Sequence, residues 1–512
     1  MTTRVVSLRA KSRYMQASIG IDIGTSAVKV VALGRDGYGV LAETTRAYPM
    51  ATPRPGWVEQ SPEDWWCATC EALAELYQAV PGIEVVAVGL SGQVNGLVLL
   101  DKQDRLLGNA IIWLDARAEA QAERLRKQYG DILTDQAATD INAISVLAKL
   151  AWLSDNDPEN LRKAGSLLFV KDYILWRLTG QKCTDASEVT SAGMLDIKTN
   201  NWLDGVAAMA GFDPALLPPI RPSTRIVGAI TDLAARETGL PLDTPVVPGA
   251  GDVAALAVGC GATTPGILGI TLGTAGHVVL SAGSAKPFIT GQGLWRVAHA
   301  IPSQAVWLGL VMSGGLSLTW LHRTMTGAGS NLDFENFAAL AQESEPGSAG
   351  ISFVPFLEGS ATPYAQPTAR GSFIGLSSST QACHLVQAVM EGVAFNIRQC
   401  VDIFDTLGAE VVEIRMAEGG ARVDRWCQIM ADVLQRPVTR LEYLNTSSLG
   451  AALMAEAGLS GNDIAELSGS LPGDGTRFEP ALGSATTYTQ AYSRYRDGAE
   501  AEIRRVSTAL RR

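Results

Sequence analysis

The sequence predicts an α/β protein built from two similar domains that face each other, and three observations carry the prediction. Residues 20–30 read GIDIGTSAVKV, and residues 269–279 repeat the pattern without a gap as GITLGTAGHVV. Each copy is an alternating apolar run closed by Gly-Thr and followed by a second β-rich run, which reads as strand, tight turn, strand. In both halves such runs come first and then alternate with stretches of helical periodicity, the order expected of a sheet with helices on its faces. The chain has 512 residues, 47% of them hydrophobic, enough for two or three separate cores. The offset between the copies is far too long for a solenoid period and suits a duplicated domain.

Taken in order, the head MTTRVVSLRAKSRYMQ (1–16) is basic and acid-free, with no apolar segment or small-residue cleavage site. It predicts a disordered extension and not a secretion signal, with Met15 as a candidate start. Strands follow at IGIDIG, VKVVAL, VLAETTRAY, EVVAVGLSG and LVLLD, and helices at PEDWWCATCEALAELY, DARAEAQAERLRKQY and AISVLAKLAWL. A turn bracketed by Pro241 and Pro245 predicts the domain boundary, giving a first domain over 17–245 and a second over 246–490. The second domain repeats the theme, with strands at ILGITLG, HVVLSA and VVEIRMAEGG and helices at HLVQAVMEGVAFNIRQCVDIF and RVDRWCQIMADVL. A Gly/Ser/Thr-rich stretch over 468–487 reads as a surface connection to a last amphipathic helix over 491–512.

Composition excludes several classes. Lys+Arg 41 against Asp+Glu 52 gives a net charge of −11, which repels polyanions and anionic bilayers, so neither a nucleic-acid nor a membrane partner is expected. No apolar run is long enough to span a bilayer. Seven scattered cysteines do not form a disulfide framework and fit a reducing cytoplasm; Cys67 and Cys70 make a lone CxxC with no second pair to complete a zinc site. The four histidines show no ligand spacing, and neither a Walker A motif nor a GxSxG elbow occurs.

The chemistry-bearing candidates cluster at strand ends. In IGIDIGTSA, Asp22 falls on the strand face opposite Ile19, Ile21 and Ile23, just before a turn carrying Gly24, Thr25 and Ser26. A glycine-rich turn presents backbone N–H groups to phosphate oxygens, and a nearby carboxylate can hold hydrated Mg²⁺ against them. One such turn alone reads more readily as a polar hairpin, but the second copy, Gly273-Thr274, makes a pair of opposed turns able to clamp a nucleotide. Asp252, after an apolar strand and a glycine-rich turn, is either a helix N-cap or a general base for an attacking hydroxyl. Gln93 and Asn95 in SGQVNGL offer amide groups suited to sugar hydroxyls, or a plain Asn-Gly turn. Gly419-Gly420 could admit a flat ring such as adenine, or be a simple strand end.

Together these motifs resemble the FGGY family of carbohydrate kinases, from about Ile19 to about Gly458. The resemblance is carried by GIDIGTSAVKV, SGQVNG, IIWLDARA, LLFVKDYILWRLTG, PGAGDVAA, ITLGTAG, FVPFLEGSATP and EGGARVDRWCQIMAD. A family signature is met in full by Gly371, Phe373, Gly375, Leu376, seven intervening residues, then His384-Leu385, Ala388 and Glu391; a second, around Lys149 and Trp152, is looser because Val146 replaces the usual Pro, Ser or Thr. The resemblance implies two ribonuclease H-like domains of the actin/hexokinase ATPase type facing a central cleft, with the sugar mainly on the first and ATP largely on the second. It implies Asp252 as catalytic base and Asp22 as the Mg²⁺ carboxylate. Phosphate contacts would come from Gly24, Thr25, Ser26, Gly273 and Thr274, and adenosine contacts from Gly315, Gly420 and Asp424. Gln93, Val94 and Asn95, with Asp252 and Val253, would bind the sugar; a homodimer is what the family suggests. The nearest branch acts on D-xylulose, which makes D-xylulose 5-phosphate the expected product. Members of that branch typically carry Met-His at Val94-Asn95 and Asn at Val253, and such changes in hydrogen-bonding groups alter sugar choice. Ribulose, erythrulose, a glycerol-like polyol, or a non-catalytic sensor are the alternatives.

Overall fold

A computed structural model of the chain describes residues 4–5, 15–284, 288, 292–326, 332–443, 445–471 and 475–509. The first sheet contains β1 (Arg4–Val5), β2 (Met15–Ile23), β3 (Ala27–Gly34), β4 (Val40–Ala47), β5 (Ile83–Gly92), β6 (Gly228–Ala229) and β7 (Pro245–Gly251), in the order β1-β4-β3-β2-β5-β7-β6. The second contains β8 (Ile267–Leu272), β9 (Gly276–Gly283), β10 (Leu294–Ala298), β11 (Gln304–Val311), β12 (Glu413–Ala417), β13 (Val438–Arg440) and β14 (Arg477–Phe478), in the order β10-β11-β9-β8-β12-β13-β14. The inner strands of the two sheets match: an antiparallel hairpin and its antiparallel neighbour lead into two strands that run parallel to the hairpin's first member, while the edge strands enter at different points of the chain. The repeat seen in the sequence is therefore the first hairpin of each sheet.

The hairpins differ by one residue. In the first, Ile23 pairs with Val28 around residues 24–27, which sets Asp22 opposite Lys29. In the second, Leu272 pairs with Gly276 around residues 273–275, which sets Thr271 opposite His277. A Cβ on Gly276 would lie 3.2 Å from Leu272 Cδ2 and 3.3 Å from Val311 Cβ, so the glycine keeps this tighter hairpin uncrowded.

One face of the first sheet is covered by α1 (Pro62–Ala79) and α2 (Val170–Thr179), whose Trp65, Trp66, Tyr173 and Ile174 join Ile19, Ile21 and Val30 in the core. Residues 97–216 add a separate core, which includes the short helix α3 (Ala186–Ser191) through Val189. Between the two sheets lie α4 (Asp252–Gly259) and α8 (Thr446–Ser460), which pack on each other. α4 follows a strand of the first sheet yet lies against β9, β10 and β11 of the second; α8 follows β13 of the second yet lies on β2 and β5 of the first. Both are rich in alanine and glycine because the backbones nearly touch. A Cβ on Gly20 would meet Ser448 O at 1.8 Å, and one on Gly450 would meet Ala255 O at 1.9 Å.

Three further helices, α5 (Gly315–Thr326), α6 (Ala382–Thr406) and α7 (Asp424–Leu434), surround the second sheet, joined by α9 (Ser484–Ala509). Two expectations are corrected here. The strand expected to open the second domain at Val246 is β7 of the first sheet, so the passage between sheets falls after Gly251 and not at 241–245. The last helix begins at Ser484 and not at 491, because Tyr488, Tyr492 and Tyr495 insert into the second core beside Phe395. Of the extension over 1–16, Arg4–Val5 pair with β4 and Met15 and Gln16 open β2; its other residues lie outside the described ones. No helix among the described residues is long and apolar enough to cross a membrane.

Candidate active site

The site begins where β2 ends. Asp22 is buried, and its Oδ1 accepts a hydrogen bond from Ser91 Oγ at 2.8 Å. Burial raises its pKa, while Lys29 across the ladder and the Ser91 hydroxyl pull it back. The turn beyond it is braced from behind. Gly24 O accepts from the Tyr48 hydroxyl and from Gln93 Nε2 (3.3 Å), Thr25 O from Gln60 Nε2 (2.7 Å), and Thr25 Oγ1 from Trp113 Nε1 (2.9 Å). Ser26, at the tip, is exposed. These bonds fix the turn while leaving its outer side open.

The second turn is braced by the start of α5. Gly315 N donates to Gly273 O at 2.7 Å and Leu316 N to Thr274 O at 3.1 Å, and Thr274 itself is exposed. A Cβ on Gly315 would lie 2.4 Å from Gly273 O, so this approach requires glycine. Thr271 Oγ1 meets His277 Nδ1 at 3.3 Å, and burial lowers the imidazole to about 4, which keeps it neutral near pH 7. Gly420 packs against Leu272, where a Cβ would lie 2.5 Å from Leu272 Cβ. Asp424 opens α7, is exposed, and pairs with Arg440. Between these elements Glu418 adopts φ 67° and ψ −164°, a region populated almost only by glycine. Its Oε2 would be 2.5 Å from a Cβ on Gly273, and its carboxylate feels both Lys29 and Asp22.

Asp252 stands at the start of α4. The N-cap is Gly251, and Asp252 Oδ1 accepts from the neighbouring Val253 N at 2.8 Å, so the capping role the sequence allowed is not the one its carboxylate takes. Burial pushes its pKa up to about 7 and the charge of Asp22 adds to this, against opposing pulls from the Val253 amide and Lys29. The loop after β5 lies alongside. Gln93 N donates to Ile23 O at 2.8 Å, and Gln93 Nε2 donates to Gln60 Oε1 at 2.8 Å. Asn95 takes φ 62°, a left-handed conformation asparagine tolerates, and its carbonyl accepts from the buried Lys149 Nζ at 2.5 Å. Gln93 Oε1 and Asn95 Oδ1 are buried acceptors without a hydrogen-bond donor among the described residues, which suits a ligand rich in hydroxyls. Val94 is half-buried, with its Cγ1 2.5 Å from where a Cβ on Gly251 would stand, and Val253 is buried.

The fold thus brings Asp22, Gly24–Ser26, Gln93–Asn95 and Asp252 together, and sets Gly273, Thr274, Gly315 and Gly420 around the second hairpin; Asp424 lies further out at the surface. Lys29, Gln60, Trp113 and Glu418 also border the site, though no sequence motif singles them out. Lys29 had a signal, being the one charge in an otherwise apolar strand whose counterpart in the second copy, Val278, is apolar. Among the described residues no group of three or more His, Cys, Asp or Glu side chains could hold a metal alone. Asp22 still fits Mg²⁺, which is commonly held by one or two carboxylates plus substrate phosphates.

Residues 17–259 match the N-terminal domain of the FGGY family of carbohydrate kinases, and residues 268–459 its C-terminal domain. The xylulose kinase of Bacillus subtilis (strain 168) is 33% identical over 446 residues, spanning 87% of this chain and 88% of that enzyme. A gluconokinase from the same organism is 28% identical over 482 residues, 92% and 93% of the two chains. The crystal structure of xylulose kinase from Rhodospirillum rubrum superimposes with a TM-score of 0.84 at 29% identity, covering 97% of this chain and all of that one.

Proposed function

The chain belongs to the FGGY family of carbohydrate kinases, and from that premise we propose that it transfers the γ-phosphoryl group of ATP to a terminal hydroxyl of D-xylulose, giving D-xylulose 5-phosphate, with Asp252 as general base. The two sheets form the actin/hexokinase-type ATPase fold, and enzymes of this family use ATP as co-substrate. The observation that carries the reading is Asp252: a carboxylate raised to about 7, at the start of α4 beside Gln93–Asn95 and within the field of Asp22. In the reaction the sugar oxygen bonds to the γ-phosphorus as its proton passes to Asp252, and the bond to the β-phosphate oxygen breaks to release ADP. Gly24–Ser26 and Gly273–Thr274 hold the phosphates, and Gly315, Gly420 and Asp424 line the nucleoside. Asp22 would hold Mg²⁺, which supplies charge neutralisation to the phosphates. Gln93 and Asn95 orient the sugar through the acceptors that lack donors among the described residues, and Val94 and Val253 supply apolar walls.

Val94-Asn95 and Val253 favour a second reading of the substrate, another short ketose, a polyol or an aldonate, and the gluconokinase relative supports including the last. A non-catalytic sensor is disfavoured because both carboxylates that the chemistry needs are present. The test is Mg-ATP-dependent ADP release over D-xylulose, D- and L-ribulose, L-xylulose, erythrulose, glycerol, xylitol and gluconate, with Asp252→Asn alongside. The expected result is one preferred substrate, D-xylulose, with turnover about 10³-fold lower in the variant and nucleotide affinity retained. Full turnover by Asp252→Asn overturns the assignment of the base, and a preference for another compound replaces D-xylulose.

A further inference from the structure

Behind the sugar loop and Asp252 lies a buried ionic group that the reaction itself does not use. Lys171 in α2 is 0% exposed; its Nζ pairs with Asp172 Oδ1 at 2.6 Å and Asp185 Oδ1 at 3.0 Å. Asp185 Oδ2, in turn, accepts from Ser187 N at 2.8 Å and Ser187 Oγ at 2.6 Å. Ser187 Oγ accepts from Gly251 N at 2.8 Å, the amide immediately before Asp252. The backbone and Cβ of Lys171 also back the sugar loop: a Cβ on Gly92 would lie 3.3 Å from Lys171 Cβ. The unpartnered carboxyl of Glu188 borders the same place, with its Cδ 3.7 Å from a Cβ position on Gly251.

A fully buried lysine facing two carboxylates is a costly arrangement, since pairing only partly returns the hydration each ion gives up. An apolar cluster of the same volume would fill this space at less cost. What it would not do is fix the direction of the Gly251 amide, and with it the position of the Asp252 carboxylate relative to Gln93–Asn95.

We propose that Lys171, Asp185 and Ser187 form a positioning relay that sets Asp252 in register with the sugar loop. The inference rests on the kinase reading above. It is tested in the full chain, on the preferred substrate, with Ser187→Ala, Lys171→Met and the double variant. Ser187→Ala should lower kcat at least tenfold while the KM for sugar and the affinity for ATP stay within twofold, because binding groups are untouched and only the base is displaced. The double variant should be no slower than the slower single one, since both cut the same relay, whereas unrelated packing defects would multiply. Where Lys171→Met does not fold, Asp185→Asn takes its place in the cycle. A kcat for Ser187→Ala within twofold of wild type, or losses that multiply, overturns the relay and leaves the kinase reading standing. Absence of sugar-dependent turnover in the wild type overturns both.

Discussion

At Asp252 the environment and the chemistry work through one quantity. Its carboxyl rests near 7 instead of 3.8 because burial and the charge of Asp22 disfavour ionisation, and a general base must be ionised to accept a proton. The kcat/KM for sugar should therefore fall about tenfold per pH unit below 7 and level off above it, as a pH–rate profile will read. The same shift acts on stability with a definite sign. The unfolded chain releases this proton near 3.8 and the folded one near 7, so the folded state is progressively disfavoured as pH rises between them. Asp252→Asn should raise the Tm, and by more at pH 8 than at pH 5; an equal shift at both would contradict the assigned environment. Asp22, Asp252 and Gln93 were legible because each belongs to a short local pattern. Lys171 and Ser187 were not, since their meaning depends on Gly251, which only the fold brings near. Glu418 reads in sequence as an ordinary residue before two glycines, and nothing local announces its backbone conformation.

Among the elements, the exchanged helices decide most. α4 and α8 meet each other and the sheets through glycine and alanine, and the contacts at Gly20, Gly89, Gly259 and Gly450 place would-be Cβ atoms 1.8–2.1 Å from backbone oxygens. Backbone cannot rotate aside as a side chain can. Gly450→Ala should cost about 3 kcal/mol or more, read as a lower denaturation midpoint, even though alanine has the better helix propensity. A neutral or stabilised variant would show that the seam is looser than described. The strands of both first hairpins and the helices α1, α6 and α7 were readable from periodicity, but β10, β11, α5 and α8 were not, and neither was the boundary. The proline-bracketed turn at 241–245 is a real turn before β7, and only pairing with β5 reveals which sheet that strand joins. The start of α9 was missed because Gly, Ser and Thr over 468–487 mask the three tyrosines that pull Ser484 onward into the second core.

On the scale of the molecule, two sheets with the same inner strand arrangement face each other and share the core made by α4 and α8, to which Val31 and Ala87 of the first sheet, Val279 and Val306 of the second, and Leu449 and Leu453 all belong. A chain ending at residue 443 retains every strand of the first sheet but lacks the helix that covers β2 and β5. It should populate an aggregation-prone species; a cooperative unfolding transition for that fragment would show that the fold holds without α8. The bond from Ser18 Oγ to Glu456 Oε2 spans 438 residues of sequence. While a ribosome is still making the chain, the opening strands therefore have to wait for almost the last helix. A nascent chain of this protein carries one uncovered sheet face until α8 is made, and its yield in a cell depends on what shelters that surface in the interval.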